Sequence, residues 1–98
     1  MLQIEIHPEV YKELEASKAW YEEQSRGLGD RFLNEIDLAM AVISEYPETW
    51  PAYVSGTRRF LLHRFPFAIV YLHNETKITV VALMHFRRKP GYWKARIV

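Results

Sequence analysis

The segment 77–85, KITVVALMH, constrains the fold most, because it is apolar on both of the faces that a β-strand presents. Alternate residues face opposite sides of a strand, and both sets are mainly apolar: Ile78, Val80, Ala82 and Met84, and then Thr79, Val81, Leu83 and His85. A strand of this kind is buried between two layers. A pair of helices covers one face of a small sheet. The other face therefore needs the C-terminal tail, with Tyr92 and Trp93 as candidates, or another chain, and we expect a habitual partner.

The rest of the chain predicts an α+β domain in the order β-α-α-β-β-β. Leu2, Ile4 and Ile6 alternate with polar residues, which is typical of a strand with one buried face. Apolar residues at helical spacing predict one helix over about 8–24 and a second that begins near Asp30 and ends before Pro47. Three more strands are predicted at about 57–64, 67–72 and 77–85. We expect residues 1–98 to form one domain, with the helical hairpin packed on one face of a mainly antiparallel sheet.

Charge is divided unevenly between the two halves of the chain. Residues 1–50 carry four Lys or Arg against eleven Asp or Glu, a formal charge of −7, whereas residues 51–98 carry nine Lys or Arg against Glu75 alone, a formal charge of +8. Basic and aromatic residues follow the last strand together: His85, Arg87, Arg88, Lys89, Tyr92 and Trp93. Fixed positive charge beside aromatic rings at the edge of a domain suits a polyanion or an acidic protein segment.

Several kinds of site lack their signature in this sequence. There is no cysteine, the four histidines do not have zinc-ligand spacing, and no glycine-rich phosphate loop occurs. The acidic residues lie mainly in the first half, away from the basic residues, which disfavours two-metal phosphodiester chemistry. No apolar run reaches the ~20 residues of a membrane span. We therefore expect no metal, no cofactor and no membrane partner, and the lack of cysteine fits a reducing cytoplasm.

Metal-free cleavage of a phosphodiester remains open to the basic residues. That reaction needs a base for a ribose 2′-hydroxyl, an acid for the leaving oxygen, and cations that stabilise the developing charge. The candidates are His85 or His63 as base or acid, Tyr92 as proton donor, and Arg59, Arg64, Arg87 and Arg88 as cations.

Structural roles compete for some of these residues. A histidine at a strand end, such as His85, commonly bonds a backbone carbonyl. Arg58 and Arg59 suit a solvated strand edge, and Trp93 suits packing over the sheet better than stacking on a base.

Three stretches of the sequence form a specific combination: GDRFLNEID (29–37), TRRFLLHRFPFAIVY (57–71) and HFRRKPGYW (85–93). With the order of elements, they resemble the RelE/ParE superfamily of bacterial toxins, and more closely its ParE-like plasmid-stabilisation branch. The resemblance covers nearly the whole chain. It implies a cytoplasmic toxin held inactive by a cognate antitoxin, whose C-terminal segment wraps the toxin and which alone would contact operator DNA. The residues expected to bind the target or the antitoxin are Arg58, Arg59, Arg87, Arg88, Lys89 and Trp93.

The resemblance implies two alternative activities. RelE-like members are ribosome-dependent mRNA endonucleases, whereas ParE-like members inhibit DNA gyrase and do not cleave RNA. The third strand of the nucleases resembles Arg-Leu-Val-Tyr with a catalytic Arg, but the matching residues here are Ala68-Ile69-Val70-Tyr71. Arg64 precedes Ala68 by four residues, ~13 Å along a strand, and is a poor replacement.

Other features of the chain bear on the same choice. The long helical hairpin also favours the ParE-like branch, while Arg87 lies near where the nucleases keep an Arg after the last strand. If the chain is a nuclease, its catalytic candidates are Arg64, His85, Arg87 and Tyr92. We favour gyrase inhibition over mRNA cleavage, and a non-toxic binding module of the same fold is a third alternative.

Overall fold

The computed structural model describes residues 2–97, and in them it contains two α-helices and four strands in the predicted order. The elements are strand β1 (Gln3–Ile6), helix α1 (Pro8–Gln24), helix α2 (Leu28–Glu45) and strands β2 (Arg58–Leu61), β3 (Phe67–His73) and β4 (Lys77–His85). Short 3-10 turns lie at Val54–Gly56 and Lys94–Arg96. The prediction of an α+β fold in the order β-α-α-β-β-β is confirmed.

The four strands form one mixed sheet in the order β1-β4-β3-β2. β1 runs parallel to β4, and the other two pairs are antiparallel, which agrees with the predicted mainly antiparallel sheet. The Asn74 side chain closes the β3–β4 turn by accepting from the N–H groups of Thr76 and Lys77 at 2.9 and 3.0 Å. β1 pairs only with Lys77–Val80. The second half of β4 therefore has no strand on its outer side within the described chain.

The helical hairpin begins and reverses through local side-chain bonds. At the start of α1, the His7 ring nitrogen Nδ1 accepts from the Glu9 N–H at 3.1 Å, and Pro8 occupies the first turn, where its missing N–H costs nothing. α2 begins at Leu28, two residues before the predicted start at Asp30. The reason is that Gly27 adopts φ +85°, a left-handed conformation that favours glycine, and lets the chain turn directly into the helix.

The two helices approach each other closely at Gly29. A side-chain carbon at this position would lie 2.8 Å from the backbone oxygen of Lys18, so only glycine fits without displacing α1. Among the described residues, no helix is both long enough and apolar enough to cross a membrane.

The hairpin packs on one face of the sheet, and the larger part of the core lies between them. Its buried members from the helices are Val10, Phe32, Ile36, Ala39 and Ile43, and those from the sheet include Ile69, Tyr71, Ile78 and Val80. Tyr71 also donates its hydroxyl to the Pro47 carbonyl at 2.7 Å, and burial raises the pKa of Tyr71 to about 12. This bond fixes the chain where it leaves α2.

The C-terminal tail covers the opposite face of the sheet. Trp93 is fully buried against a second cluster made of Ala68, Val70, Val81, Ala82 and Met84. Tyr53, from the loop before β2, lies beside Trp93 with ring centroids 6.2 Å apart. Of the two covers considered for this face, the structure has the tail, so this face does not by itself require a partner.

Strand β2 is shorter than predicted. It ends at Leu61 rather than near residue 64, because the Glu35 carboxylate on α2 accepts the N–H groups of both His63 and Arg64 at 2.8 Å. The Phe67 N–H then donates to the Phe65 carbonyl at 2.8 Å, which makes a tight turn into β3. Arg64 therefore lies in a loop and not in a strand.

Candidate functional site

Four exposed basic residues gather where β3 begins and β4 ends. The group, which we call the basic end, consists of Arg64, Arg87, Arg88 and Lys89. The Phe86 N–H donates to the Pro66 carbonyl at 2.9 Å, and this bond holds the two contributing loops side by side. None of the four forms an ion pair with a carboxylate in the region that the structure describes. Their charge is free to meet an anion from outside.

Arg58 and Arg59 do not belong to the basic end. Arg58 pairs with Tyr71 in the β2–β3 ladder, four positions from the start of β3, which corresponds to ~13 Å along the strand. The side chains of Arg58 and Arg59 leave opposite faces of the sheet. Arg58 donates to the Trp50 carbonyl at 2.7 Å, and the Arg59 guanidinium lies 4.3 Å from the centre of the Tyr53 ring. Both arginines hold the loop before β2 against the sheet.

On the unpaired outer side of β4, backbone N–H and C=O groups form hydrogen bonds with side chains. Glu13, on α1, accepts the Leu83 N–H at 3.0 Å, and Arg96, in the tail, donates to the Val81 carbonyl at 3.0 Å. The Tyr92 hydroxyl also approaches the Leu83 carbonyl, at 3.4 Å. These contacts close the edge of β4 to a further strand.

The same three side chains bind one another, and we call Glu13, Tyr92 and Arg96 the clasp. Arg96 makes two bonds to the Glu13 carboxylate, at 3.0 and 3.2 Å, and Tyr92 donates its hydroxyl to that carboxylate at 2.6 Å. The side chains of Glu13 and Arg96 are each only 15% exposed. A charged pair that is this buried is destabilising when one partner is removed. The clasp joins α1, β4 and the tail.

Tyr92 connects the clasp to the basic end. Burial, then the hydrogen bond to Glu13 and its negative charge, raise the pKa of the Tyr92 hydroxyl well above its ordinary value of 10.0, although Arg88 and Arg96 oppose the rise. The hydroxyl is therefore protonated at neutral pH, and its proton is engaged by Glu13. The Arg88 guanidinium lies over the Tyr92 ring, 3.8 Å from the ring centre.

The remaining candidates for a nuclease reaction are held in structural contacts. His85 accepts the Arg87 N–H through Nδ1 at 3.0 Å, rather than bonding a backbone carbonyl, and its ring packs edge-on against Phe67 at 4.9 Å. Ala68, where the nucleases have an arginine, is fully buried beneath the tail. Trp93 is fully buried too and offers no surface to a partner in this conformation. Within residues 2–97 there is also no cluster of His, Asp or Glu that could hold a metal ion.

An apolar groove of about 460 Å³, the α2 groove, lies between α2 and β2. Its lining includes Leu38 and Leu61, which are 69% and 51% exposed, and the half-exposed Val42. The first part of β2 is covered on its outer side, since the Arg59 N–H donates to the Pro51 carbonyl at 3.1 Å. Leu61 comes two residues after Arg59, so its backbone groups point to the same outer side of β2. They lie beyond the part of the strand that is covered. An open strand edge thus borders the exposed apolar side chains.

A second groove of about 410 Å³, the α1 groove, runs between α1 and the ends of β3 and β4. Its lining includes Ser17, His85 and Arg88, and a neighbouring hollow that shares Ser17 and His85 continues it to Trp20. The indole of Trp20 is 57% exposed. The basic end therefore opens into a groove with an aromatic wall.

Sequence reasoning missed the clasp. Glu13 and Arg96 are 83 positions apart, and no local pattern joins them. One signal was present, because Glu13 lies three residues after Val10 and directly before Leu14. It therefore borders the apolar stripe of α1, and an acid there needs a partner when the helix packs.

The fold defines the class of protein, because a helical hairpin packed on a four-stranded mixed sheet is the fold of the RelE/ParE superfamily. A family model described as "ParE toxin of type II toxin-antitoxin system, parDE" matches residues 4–90. The chain belongs to the ParE toxin family of type II toxin–antitoxin systems. The predicted superfamily, and the predicted toxin component of such a system, are confirmed.

A solved structure also resembles this chain. It is described as "Chromosomal ParDE TA system from P. aeruginosa" and matches with a TM-score of 0.73 at 17% identity, covering 87% of this chain and 96% of that one. At this identity the likeness shows the shared fold. No curated protein sequence matches the chain significantly.

Proposed function

We propose that this toxin acts in the cytoplasm by inhibiting DNA gyrase and that a cognate antitoxin neutralises it. The observation that carries the proposal is the match of the ParE toxin family over residues 4–90. Among the alternatives, this branch is the one whose members act by binding a protein target. A toxin of that kind needs accessible binding surfaces and no assembled set of catalytic groups.

The contacts of the candidate catalytic residues support binding over mRNA cleavage. The proton of Tyr92 is held by Glu13 at 2.6 Å, so it is poorly placed for a leaving oxygen. Nδ1 of His85 is occupied by the Arg87 N–H. The side chain of Ala68 is uncharged and cannot stabilise the negative charge of a pentacoordinate, phosphorane-like transition state. In favour of the nuclease alternative, Arg87 lies near where the nucleases keep an Arg after the last strand.

The basic end is the surface we assign to the target. Its four cations have no carboxylate partner in residues 2–97, and Phe86 beside them is half-exposed although it is a large apolar residue. Exposed aromatic and arginine residues are the types that contribute most to protein interfaces. An acidic surface with a hydrophobic centre would complement this end.

We assign the α2 groove and the open edge of β2 to the antitoxin. An extended segment can add to the edge at Leu61 through backbone hydrogen bonds, and its apolar side chains can then fill the space over Leu38 and Val42. This mode needs a free strand edge beside apolar pockets, and the β2 side has both. The β4 side does not, because Glu13 and Arg96 occupy the edge there.

Induced expression of the chain without antitoxin tests the mechanism. We expect growth arrest accompanied by DNA-damage signalling, with bulk mRNA intact, because stalled gyrase leaves broken DNA. Arrest with rapid loss of mRNA and no DNA damage would instead support the endonuclease alternative.

A charged substitution in the α2 groove tests the antitoxin surface. Leu38→Glu should weaken binding of the co-encoded antitoxin by more than tenfold, since a buried unpaired carboxylate costs about 1.4 kcal/mol or more. Ala41→Glu places the same charge on an exposed position of α2 outside the groove lining and is the matched control. Equal antitoxin affinity for the two variants, measured by calorimetry, would move the antitoxin to another surface.

A further inference from the structure

We propose that Glu13 is a positioning residue, which acts through Tyr92 to hold Arg88 at the mouth of the α1 groove for an anionic group of the binding partner. The anionic group is a carboxylate, because the surface proposed for the target is an acidic protein surface. The inference rests on the proposed function only in giving Arg88 a partner, because the positioning itself is a property of the isolated chain.

The first step is that Glu13 is itself fixed. Its backbone belongs to α1, and its carboxylate accepts four hydrogen bonds: one from the Leu83 N–H, one from the Tyr92 hydroxyl and two from Arg96. Arg96 is anchored in turn to the Val81 carbonyl. A carboxylate bound from β4 and from the tail at once has little freedom to move.

The second step leads from Glu13 to Arg88 through one ring. The Tyr92 hydroxyl donates to the Glu13 carboxylate at 2.6 Å, which fixes the far end of the ring, and the Arg88 guanidinium lies over the ring face, 3.8 Å from the ring centre. A stacked guanidinium keeps its N–H groups at the edge of its own plane, free for a bidentate acceptor. Without the ring, Arg88 would be an exposed side chain with several rotatable bonds.

The third step is that Arg88, among the lining cations of the α1 groove, is the one with no carboxylate contact within residues 2–97. The lining also contains Lys12, which pairs with Glu9 at 3.2 Å, and Arg96, which pairs with Glu13. In the described part of the chain Arg88 has an aromatic contact and no carboxylate contact. An anion that enters the groove therefore meets a cation whose direction has already been set.

The test is a side-chain NMR measurement on the free protein. A guanidinium over an aromatic ring has its δ and ε proton resonances shifted upfield, and we expect this shift for Arg88 in the wild type. Glu13→Gln removes the charge that orients Tyr92, and Tyr92→Phe removes the same bond from the other end while keeping the ring. Both variants should lose much of the upfield shift of Arg88. Glu15→Gln, an exposed residue of α1, is the matched control and should leave it unchanged.

Two comparisons separate positioning from a general loosening of the fold. The methyl resonances of Ile43 and Ile69, in the core between the helical hairpin and the sheet, should stay in place in each variant. If Glu13 acts through Tyr92, the double variant Glu13→Gln/Tyr92→Phe should displace Arg88 no further than either single change. An unchanged Arg88 resonance in folded Tyr92→Phe overturns the proposal, and this variant serves even if Glu13→Gln fails to fold, since it removes only a hydroxyl.

Function is scored separately. When Glu13→Gln displaces Arg88, growth arrest should weaken by the same factor as in Arg88→Gln. If Arg88 is displaced but growth arrest remains complete, the positioning role of Glu13 stands, and the assignment of Arg88 to the target is refuted.

Discussion

Trp93 shows that one residue of the basic tail has a structural role. The sequence allowed both target binding and packing for this residue, and it is fully buried over the second face of the sheet. Its indole N–H has no acceptor within residues 2–97, and its contacts with the sheet are apolar. Trp93 is what allows both faces of β4 to be apolar in a chain of this size.

Replacing Trp93 therefore tests the second core. Trp93→Ala should lower the free energy of unfolding by about 3–5 kcal/mol, since the cavity opens between the tail and the sheet. Trp20→Ala is the control, because the indole of Trp20 is 57% exposed and its loss should cost about 0.5 kcal/mol or less. Urea unfolding monitored by circular dichroism gives both values. Equal stability of the two variants would mean that the tail does not pack as described.

At the scale of an element, the turn between α1 and α2 depends on one side chain. Glu22, near the end of α1, accepts the N–H groups of Gly27 and Gly29 at 2.9 and 3.0 Å and so caps the first turn of α2. These two bonds to the charged carboxylate lower the pKa of Glu22 below its ordinary value of 4.5. One side chain near the end of α1 thus caps the start of α2.

The lowered pKa of Glu22 sets a pH dependence. A carboxyl group whose pKa is lower in the folded state stabilises the fold above its unfolded pKa, and this stability is lost as the pH falls through the folded pKa. Glu22→Gln should therefore reduce the free energy of unfolding at neutral pH, and its difference from the wild type should shrink as the pH falls below 4.5. Glu23→Gln, an exposed neighbour, is the control. A pH-independent difference in urea unfolding would contradict the capping role of the charge.

How much the sequence predicted depends on the distance over which each contact acts. Periodicity identified both helices and all four strands, because the residues that decide these elements lie within a few positions of one another. The end of β2 at Leu61 and the clasp depend on Glu35 and Glu13, which bind backbone N–H groups 28 and 70 positions away. Such contacts exist only once the sheet is assembled. For the same reason, sequence alone grouped Arg58 and Arg59 with Arg87, while the register of β2 separates them.

At the scale of the whole molecule, residues 2–97 present two candidate binding surfaces, and the clasp connects the tail to α1 and β4. The basic end and the α2 groove are formed by different residues, so target and antitoxin need not compete for the same side chains. The clasp lies beside the basic end and ties the tail to α1, which keeps the second core closed while Arg87 and Arg88 stay exposed. Exposed charge beside an apolar groove gives the toxin the surfaces that the proposed inhibition by binding requires.

A supercoiling assay with purified gyrase tests this account most directly. The wild-type protein should inhibit supercoiling of relaxed plasmid DNA. Arg87→Glu/Arg88→Glu should lose that inhibition while remaining folded by circular dichroism, since exposed charge reversals change stability by only about 0.5 kcal/mol. Arg26→Glu/Lys94→Glu makes the same change of charge at two other exposed positions and should inhibit like the wild type. Supercoiling that proceeds normally in the presence of folded wild-type protein, together with cleavage of ribosome-bound mRNA, would contradict the account.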